Sequence, residues 1–386
     1  MSFLSTVVLS PVACVSCARR VHHFMAKSLA LPAQLACIVV LWSGLSCGQE
    51  IPWHLGRVDG VQAAPSAINT ASNQPGPHRI VVAVIDSGVI ASHPSLEGQL
   101  LPGYDMVSGR NNLRNSRSAN FSPDERNAQC GERLFSGSFR VHGTEVASLI
   151  AGNGVEGVWG VNPSAKIVPV RLFGACATSR LDLLDAIAWA AGLPVKDVPD
   201  NPHPARIINL SLSGGYVLCG GDLQRLISRV VEKNIFVVAA AGNNFQKSLK
   251  EPANCKGVIS VGALDAHNHI APYSALDPRT VVYAPGGGPA LSGHDEWSVN
   301  KLKVASYEPN FFGKDRPSSH HRGVGTSYAA PIVAGFISLW LSHQPNKTPA
   351  DFLNEMHQFS RQVEPEAACT TCVPRGLASL PVMKGS

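Results

Sequence analysis

An α/β three-layer sandwich, with a mostly parallel central sheet flanked by helices, is the fold that this 386-residue chain predicts. Two observations carry that expectation. Five short runs are apolar along their whole length rather than at alternate positions, which means burial on both faces, as in a parallel sheet. Between them lie segments whose apolar residues recur at helical spacing. Alternating β and α elements of this kind build a sheet covered on two sides.

The runs, in order, are 79–85 (RIVVAVI), 166–172 (KIVPVRL), 206–212 (RIINLSL), 235–241 (IFVVAAA) and 257–262 (GVISVG). Among the helical segments, Leu223, Leu226, Ile227, Val230 and Val231 line one face, with Asp222 as the expected N-cap. Leu183, Leu184, Ile187 and Ala188 mark a second face. The stretch 328–342 (YAAPIVAGFISLWLS) is apolar almost all round and predicts a buried helix. Thr348-Pro349 opens a last helix, with Thr as cap and Pro in the first turn. Residues 108–140, rich in Asn, Arg and Ser, read as a long surface loop tied down by Cys130. Residues 193–204, with four prolines, and 286–323 read as irregular. There is no internal repeat.

Composition sets the class. The chain is 45% hydrophobic and 15% charged, as globular proteins are. The net charge of +5 includes Arg19, Arg20 and Lys27, in a stretch of 49 residues without an acidic one. About +2 remains beyond it, too little to point to nucleic acid or a membrane surface. That stretch reads as an export leader (1–49). Basic residues precede an apolar run from Leu29 to Trp42, broken by Pro32 and Gln34, and small residues follow at Ser43, Gly44 and Ser46. The run is shorter than the ~20 residues a membrane span needs. Met25 is a second candidate start, and Leu45-Ser46-Cys47 only faintly resembles a lipoprotein cleavage site.

Four of the ten cysteines lie in the leader; Cys130, Cys176, Cys219, Cys255, Cys369 and Cys372 remain. An even number fits disulfides in an oxidising compartment. Only Cys369 and Cys372 have metal-like spacing, with no second pair nearby, so no metal site is expected. The division expected is a leader, a catalytic domain over 50–364, and a tail over 365–386 carrying that cysteine pair.

Three short segments carry chemistry. Asp86, in Val84-Ile85-Asp86-Ser87-Gly88, stands at the C-terminal end of a buried strand, where functional groups gather in parallel sheets. Alone, an Asp-Ser-Gly sequence equally well just turns the chain. His142, in His142-Gly143-Thr144, falls on the first turn of a helix; a lone histidine is more often structural. Ser327, in Gly325-Thr326-Ser327-Tyr328-Ala329-Ala330-Pro331, starts the buried helix, where it is either a simple cap or a nucleophile favoured by the helix N-terminus.

Taken together, in the order Asp, His, Ser, they resemble the subtilisin-like serine peptidases; that order for subtilisin is itself a standard example. The resemblance runs from about Pro52 to about Pro349 and includes Ala240-Ala241-Gly242-Asn243. It implies a subtilisin-like fold and a serine endopeptidase working through an acyl-enzyme. Ser327 is the implied nucleophile, His142 its base and later acid, Asp86 the group that orients the imidazole. Asn243 with the Ser327 N–H forms the implied oxyanion hole. Ser211, Leu212, Ser213, Gly214 and Gly215 match the strand that pairs with an extended peptide, though Ser213 departs from the commonest pattern. Ala240, Ala241 and Gly242 form the implied far wall of the specificity pocket, open enough for a medium or large apolar side chain.

Asn201-Pro202-His203-Pro204-Ala205-Arg206-Ile207-Ile208-Asn209 and Glu251-Pro252-Ala253-Asn254-Cys255 bring the likeness closest to extracellular proteases of Gram-negative bacteria. Those relatives imply the pairs Cys130–Cys176 and Cys219–Cys255, with Cys369–Cys372 as a third. The expected product is secreted, periplasmic or on the cell surface. It is a monomer acting on extended polypeptides, and it meets a membrane only through an uncleaved or lipidated leader.

The chain also departs from the family. Ile51-Pro52-Trp53 looks like the start of a mature domain directly after the leader, without room for a propeptide of ordinary size. His93-Pro94-Ser95-Leu96 lacks the family's frequent aspartate, and Asn and Arg replace the acidic calcium loop around Gly109 to Ser118. Calcium is therefore left open, with no clear site, and no other cofactor is implied. Glu145 and Ile332 are further variants. The rival reading is a catalytically silent fold used for binding or surface display. An esterase of the α/β-hydrolase kind is excluded by chain order and by the sequence around Ser327.

Overall fold

The computed structural model describes residues 52–57, 78–106, 141–172, 179–243, 248–288, 301–308, 316–362 and 375–377. The leader, the loop with Cys130, and Cys176, Cys369 and Cys372 lie outside them. After a short helix, α1 (Trp53–Arg57), the chain runs β1 (Val81–Asp86), β2 (Tyr104–Asp105), α2 (His142–Ala151), β3 (Lys166–Arg171), α3 (Arg180–Ala190) and β4 (Ile207–Leu210). There follow α4 (Gly221–Glu232), β5 (Phe236–Ala240), β6 (Val258–Leu264), β7 (Val282–Pro285), β8 (Leu302–Glu308) and β9 (Arg316–Gly323). Helices α5 (Thr326–His343) and α6 (Pro349–Phe359) and the short strands β10 (Ser360–Gln362) and β11 (Arg375–Leu377) complete it.

The central sheet has the order β10-β11-β7-β6-β5-β4-β1-β3-β2. From β7 to β2 every pairing is parallel. All five apolar runs became strands of it. Continuous apolarity has the expected cause: within β1, Val82 and Val84 enter one core while Ala83 and Ile85 enter another. The first core holds α2 and α5, with Val146, Ile150, Val333 and Trp340; the second holds α3 and α4, with Ile187, Leu223 and Ile227. Those are the three layers the sequence predicts.

Helix α5 is buried along almost its whole length, as its composition requires. Trp340 packs edge-on against Phe236 and Phe352, which fastens α6 to the sheet. Helix α6 begins as expected: the Thr348 hydroxyl accepts from Asp351 N, and the Asp351 carboxylate accepts from Thr348 N.

Two local expectations need correcting. Asp222 does not cap α4; Gly220 does, and the Asp222 carboxylate instead takes two hydrogen bonds from Arg180 at the start of α3. The Arg180 guanidinium fixes the carboxylate in a bidentate, charge-assisted geometry, while Oδ1 also accepts from Leu223 N at 2.8 Å, inside the first turn rather than at the cap. Residues 286–323 are not wholly irregular, since β8 and β9 pair antiparallel as a two-stranded ribbon. Only β8 has inward apolar residues, Leu302 and Val304. Strand β9 reads RPSSHHRG, and backbone pairing with β8 overrides its poor β-propensity.

Candidate active site

Three backbone ends meet on one side of the sheet: the end of β1, the start of α2 and the start of α5. Asp86 is the last residue of β1 and is fully buried. Its Oδ1 accepts from the N–H of Ser87 at 2.7 Å. The Ser87 hydroxyl accepts from Gly143 N, and Thr144 Oγ1 accepts from Ile90 N, so the strand end and the helix start are stitched together. Only glycine fits at 143, because a Cβ there would stand 2.1 Å from the Gly88 carbonyl oxygen. That close approach brings His142 to Asp86: its Nδ1 lies 2.9 Å from both carboxylate oxygens.

The His142 side chain is 13% exposed. Burial alone pushes its pKa down, but the Asp86 charge and hydrogen bond, joined by the charge of Glu145, outweigh burial and hold it above the ordinary histidine value. A carboxylate on Nδ1 also places any exchangeable proton of the neutral ring there and leaves Nε2 as the base.

Ser327 is the second residue of α5 and is partly exposed. It is not a cap. Gly325 precedes the helix at φ 154°, a conformation open to glycine, and makes no side-chain cap. The first-turn N–H groups of a helix have no partner within it. Here Thr326 N donates to Asn243 Oδ1 at 2.8 Å, and the N–H groups of Tyr328 and Ala329 reach the Gly325 carbonyl. Among the described residues, the Ser327 N–H has no acceptor. Pro331, four residues on, brings no N–H to the Ser327 carbonyl. The hydroxyl of Ser211 donates to that carbonyl instead, at 2.7 Å.

Asn243 follows β5. Its Oδ1 also accepts from the Thr326 hydroxyl at 2.7 Å, so its amide oxygen is doubly engaged. Its Nδ2 faces the gap over Gly325, where an added Cβ would meet Nδ2 at 3.1 Å and Ser327 Oγ at 3.0 Å. The ring of Tyr328 meets the His142 ring edge-on, with centroids 5.7 Å apart. The structure thus gathers Asp86, His142, Ser327 and Asn243. Among the described residues no hydrogen bond joins Ser327 Oγ to His142; such bonds are commonly long in unliganded sites and tighten with substrate.

The segment after β4 borders this site. Ser211 is buried, Leu212 is half-buried, and Ser213, Gly214 and Gly215 are exposed. Gly214 N donates to the Glu251 carbonyl, which fixes the segment's far end. Beyond it Tyr216, Val217 and Leu218 are exposed apolar residues. Ala240, Ala241 and Gly242 are buried. Cys219 and Cys255 form a disulfide, as the resemblance implied. Among the described residues no group of three or more His, Cys, Asp or Glu side chains is placed to hold a metal.

Sequence reasoning missed three participants: Thr326, which turns Asn243; the hydroxyl of Ser211, which replaces the donor that Pro331 lacks; and Glu145, whose side chain Tyr328 meets. The Gly-Thr-Ser tripeptide and the Ala-Pro dipeptide signal the first two. Nothing local signals the third.

Comparison with known proteins points to one family. The family model described as "Subtilase family" matches residues 78–366. An extracellular protease of Xanthomonas campestris pv. campestris is 38% identical over 282 residues, covering 70% of this chain and 45% of that protein. An extracellular basic protease of Dichelobacter nodosus is 35% identical over 279 residues, covering 68% and 43%. The chain therefore spans less than half the length of these two relatives. A solved protease from Pseudoalteromonas arctica superimposes with a TM-score of 0.66 at 31% identity, covering 85% of this chain and 95% of that one.

Proposed function

The chain belongs to the subtilase family, and from that premise we propose that it is an exported serine endopeptidase. The observation that carries the reading is the buried Asp86 carboxylate held 2.9 Å from His142 Nδ1, beside a helix whose first turn presents Ser327. In this mechanism Nε2 of His142 takes the Ser327 proton as Oγ bonds to the substrate carbonyl carbon. The carbonyl oxygen becomes an oxyanion and accepts from Ser327 N–H and Asn243 Nδ2. The imidazolium, steadied by Asp86, then gives its proton to the departing amine. Water repeats the sequence on the acyl-enzyme and frees the serine.

The substrate is an extended polypeptide lying along Ser211–Gly215, with backbone pairing for affinity. Ala240–Gly242 form the opposite wall. Export accords with the Cys219–Cys255 bridge, which persists in oxidising compartments, and with relatives named as extracellular proteases.

Casein digestion by the wild type and by Ser327→Ala tests the proposal. The variant should lose at least ~10³-fold in kcat. Equal digestion by both proteins would remove the serine mechanism. A folded wild type that digests nothing, while still binding polypeptide, would favour a silent binding fold.

A further inference from the structure

Glu145 is a buried carboxylate for which the mechanism above has no role. It lies one turn after His142 on α2 and is 2% exposed. A carboxylate in such a place is costly unless donors surround it. Tyr328 Oη donates to Oε2 at 2.6 Å, His321 Nδ1 lies 2.9 Å from Oε1, and Ser306 Oγ donates to Oε1 at 3.4 Å. These partners come from three different elements, α5, β9 and β8. Tyr328 directly follows the proposed nucleophile, and its ring packs on the edge of His142.

We propose that Glu145 is a positioning residue, a second buried carboxylate behind His142. It anchors the first turn of the nucleophile helix through Tyr328 and favours the imidazolium that forms during acyl transfer. His321, 47% exposed in its side chain, is its partner on the solvent side. The proposal rests on the endopeptidase reading and deepens it.

The electrostatics run in the same direction. The Glu145 charge is among the influences that hold His142 above the ordinary histidine value, after the opposing burial and the larger effect of Asp86. Burial, then Glu145, keep the Tyr328 phenol protonated far above its usual range, so it remains a donor. The other groups are accounted for. Asp86 and Tyr273 also act on Tyr328, Arg171 on β3 is engaged by Asp105, and Lys303 on β8 interacts with Glu156 and Arg322. Glu145→Gln keeps an acceptor for Tyr328 and removes the charge. His142 then remains a free base down to lower pH. His321→Gln keeps a donor to Glu145 and removes a ring that would offset the Glu145 charge whenever it is protonated, which acts in the opposite sense.

The experiment measures kcat/KM on a chromogenic peptide from about pH 5 to 9 for the full chain and both variants. For Glu145→Gln the acid limb should move down by about 0.5–1 pH unit, and for His321→Gln it should move up by ~0.3. A purely structural Glu145 would lower activity at every pH and leave the limb where it was, which overturns the proposal. If circular dichroism shows that Glu145→Gln does not fold, the half-exposed His321→Gln decides alone, and an unmoved limb overturns the proposal. A wild type without Ser327-dependent cleavage sinks the underlying reading instead, so the two failures are distinguishable.

Discussion

At the scale of single residues, Asn243 shows how a site is aimed. Its amide has two ends, and Thr326 occupies the oxygen end with both N–H and hydroxyl. The nitrogen end is thereby turned to where an oxyanion would form. Asn243→Ala should lower kcat by ~10²–10³ with little change in KM, the magnitude found for one such donor in subtilisin itself. Steady-state kinetics on a peptide amide give the answer, and a change confined to KM would reassign Asn243 to substrate binding. The four residues read as chemical from the sequence, Asp86, His142, Ser327 and Asn243, are those that converge. What was not legible was their support. Glu145 meets Tyr328 across 183 positions, and Ser211 meets the Ser327 carbonyl across 116. No local pattern encodes a partner at such a separation.

At the scale of elements, the segment from Ser211 to Gly220 is held at its far end by two independent ties. One is the disulfide from Cys219 to Cys255, spanning 36 positions. The other is Arg180, which joins Asp222 and Glu251 and holds the Asp222 carboxyl well below its usual range. Closing a loop of that length stabilises the native state by about 3–4 kcal/mol on chain-entropy grounds. The double variant Cys219→Ser, Cys255→Ser should lose that much in urea unfolding, and dithiothreitol should reproduce the loss in the wild type. An unchanged midpoint would mean that the arginine clamp suffices. The parallel strands were legible because burial on both faces leaves an uninterrupted apolar run. The ribbon β8–β9 was not, because β9 is polar and takes its shape from its neighbour. The cap of α4 was misread because Asp222 answers to a distant arginine.

At the scale of the whole molecule, sensitivity to acid has an identifiable source. His54 in α1 is fully buried, and burial pushes its pKa down to about 4. The unfolded chain takes up a proton near pH 6.5, so the native state loses stability as pH falls from about 6.5 toward 4. The full effect is about 3 kcal/mol. His142 works against it: its raised value contributes stability at low pH that fades as pH rises through its native pKa. Replacing His54 with Phe should flatten the decline in Tm between pH 7 and about 4.5, as scanning calorimetry would show. An unaltered slope would place the acid sensitivity in other groups.

Helix α5 has one further consequence. The proposed nucleophile rides on a rod with almost no wet side, packed on the sheet and against α2. Such a rod cannot fray or slide while its surroundings stay intact. Heat or denaturant must therefore dismantle the interior before Ser327 moves. For the proposed peptidase, loss of activity on heating should therefore coincide with loss of the native state.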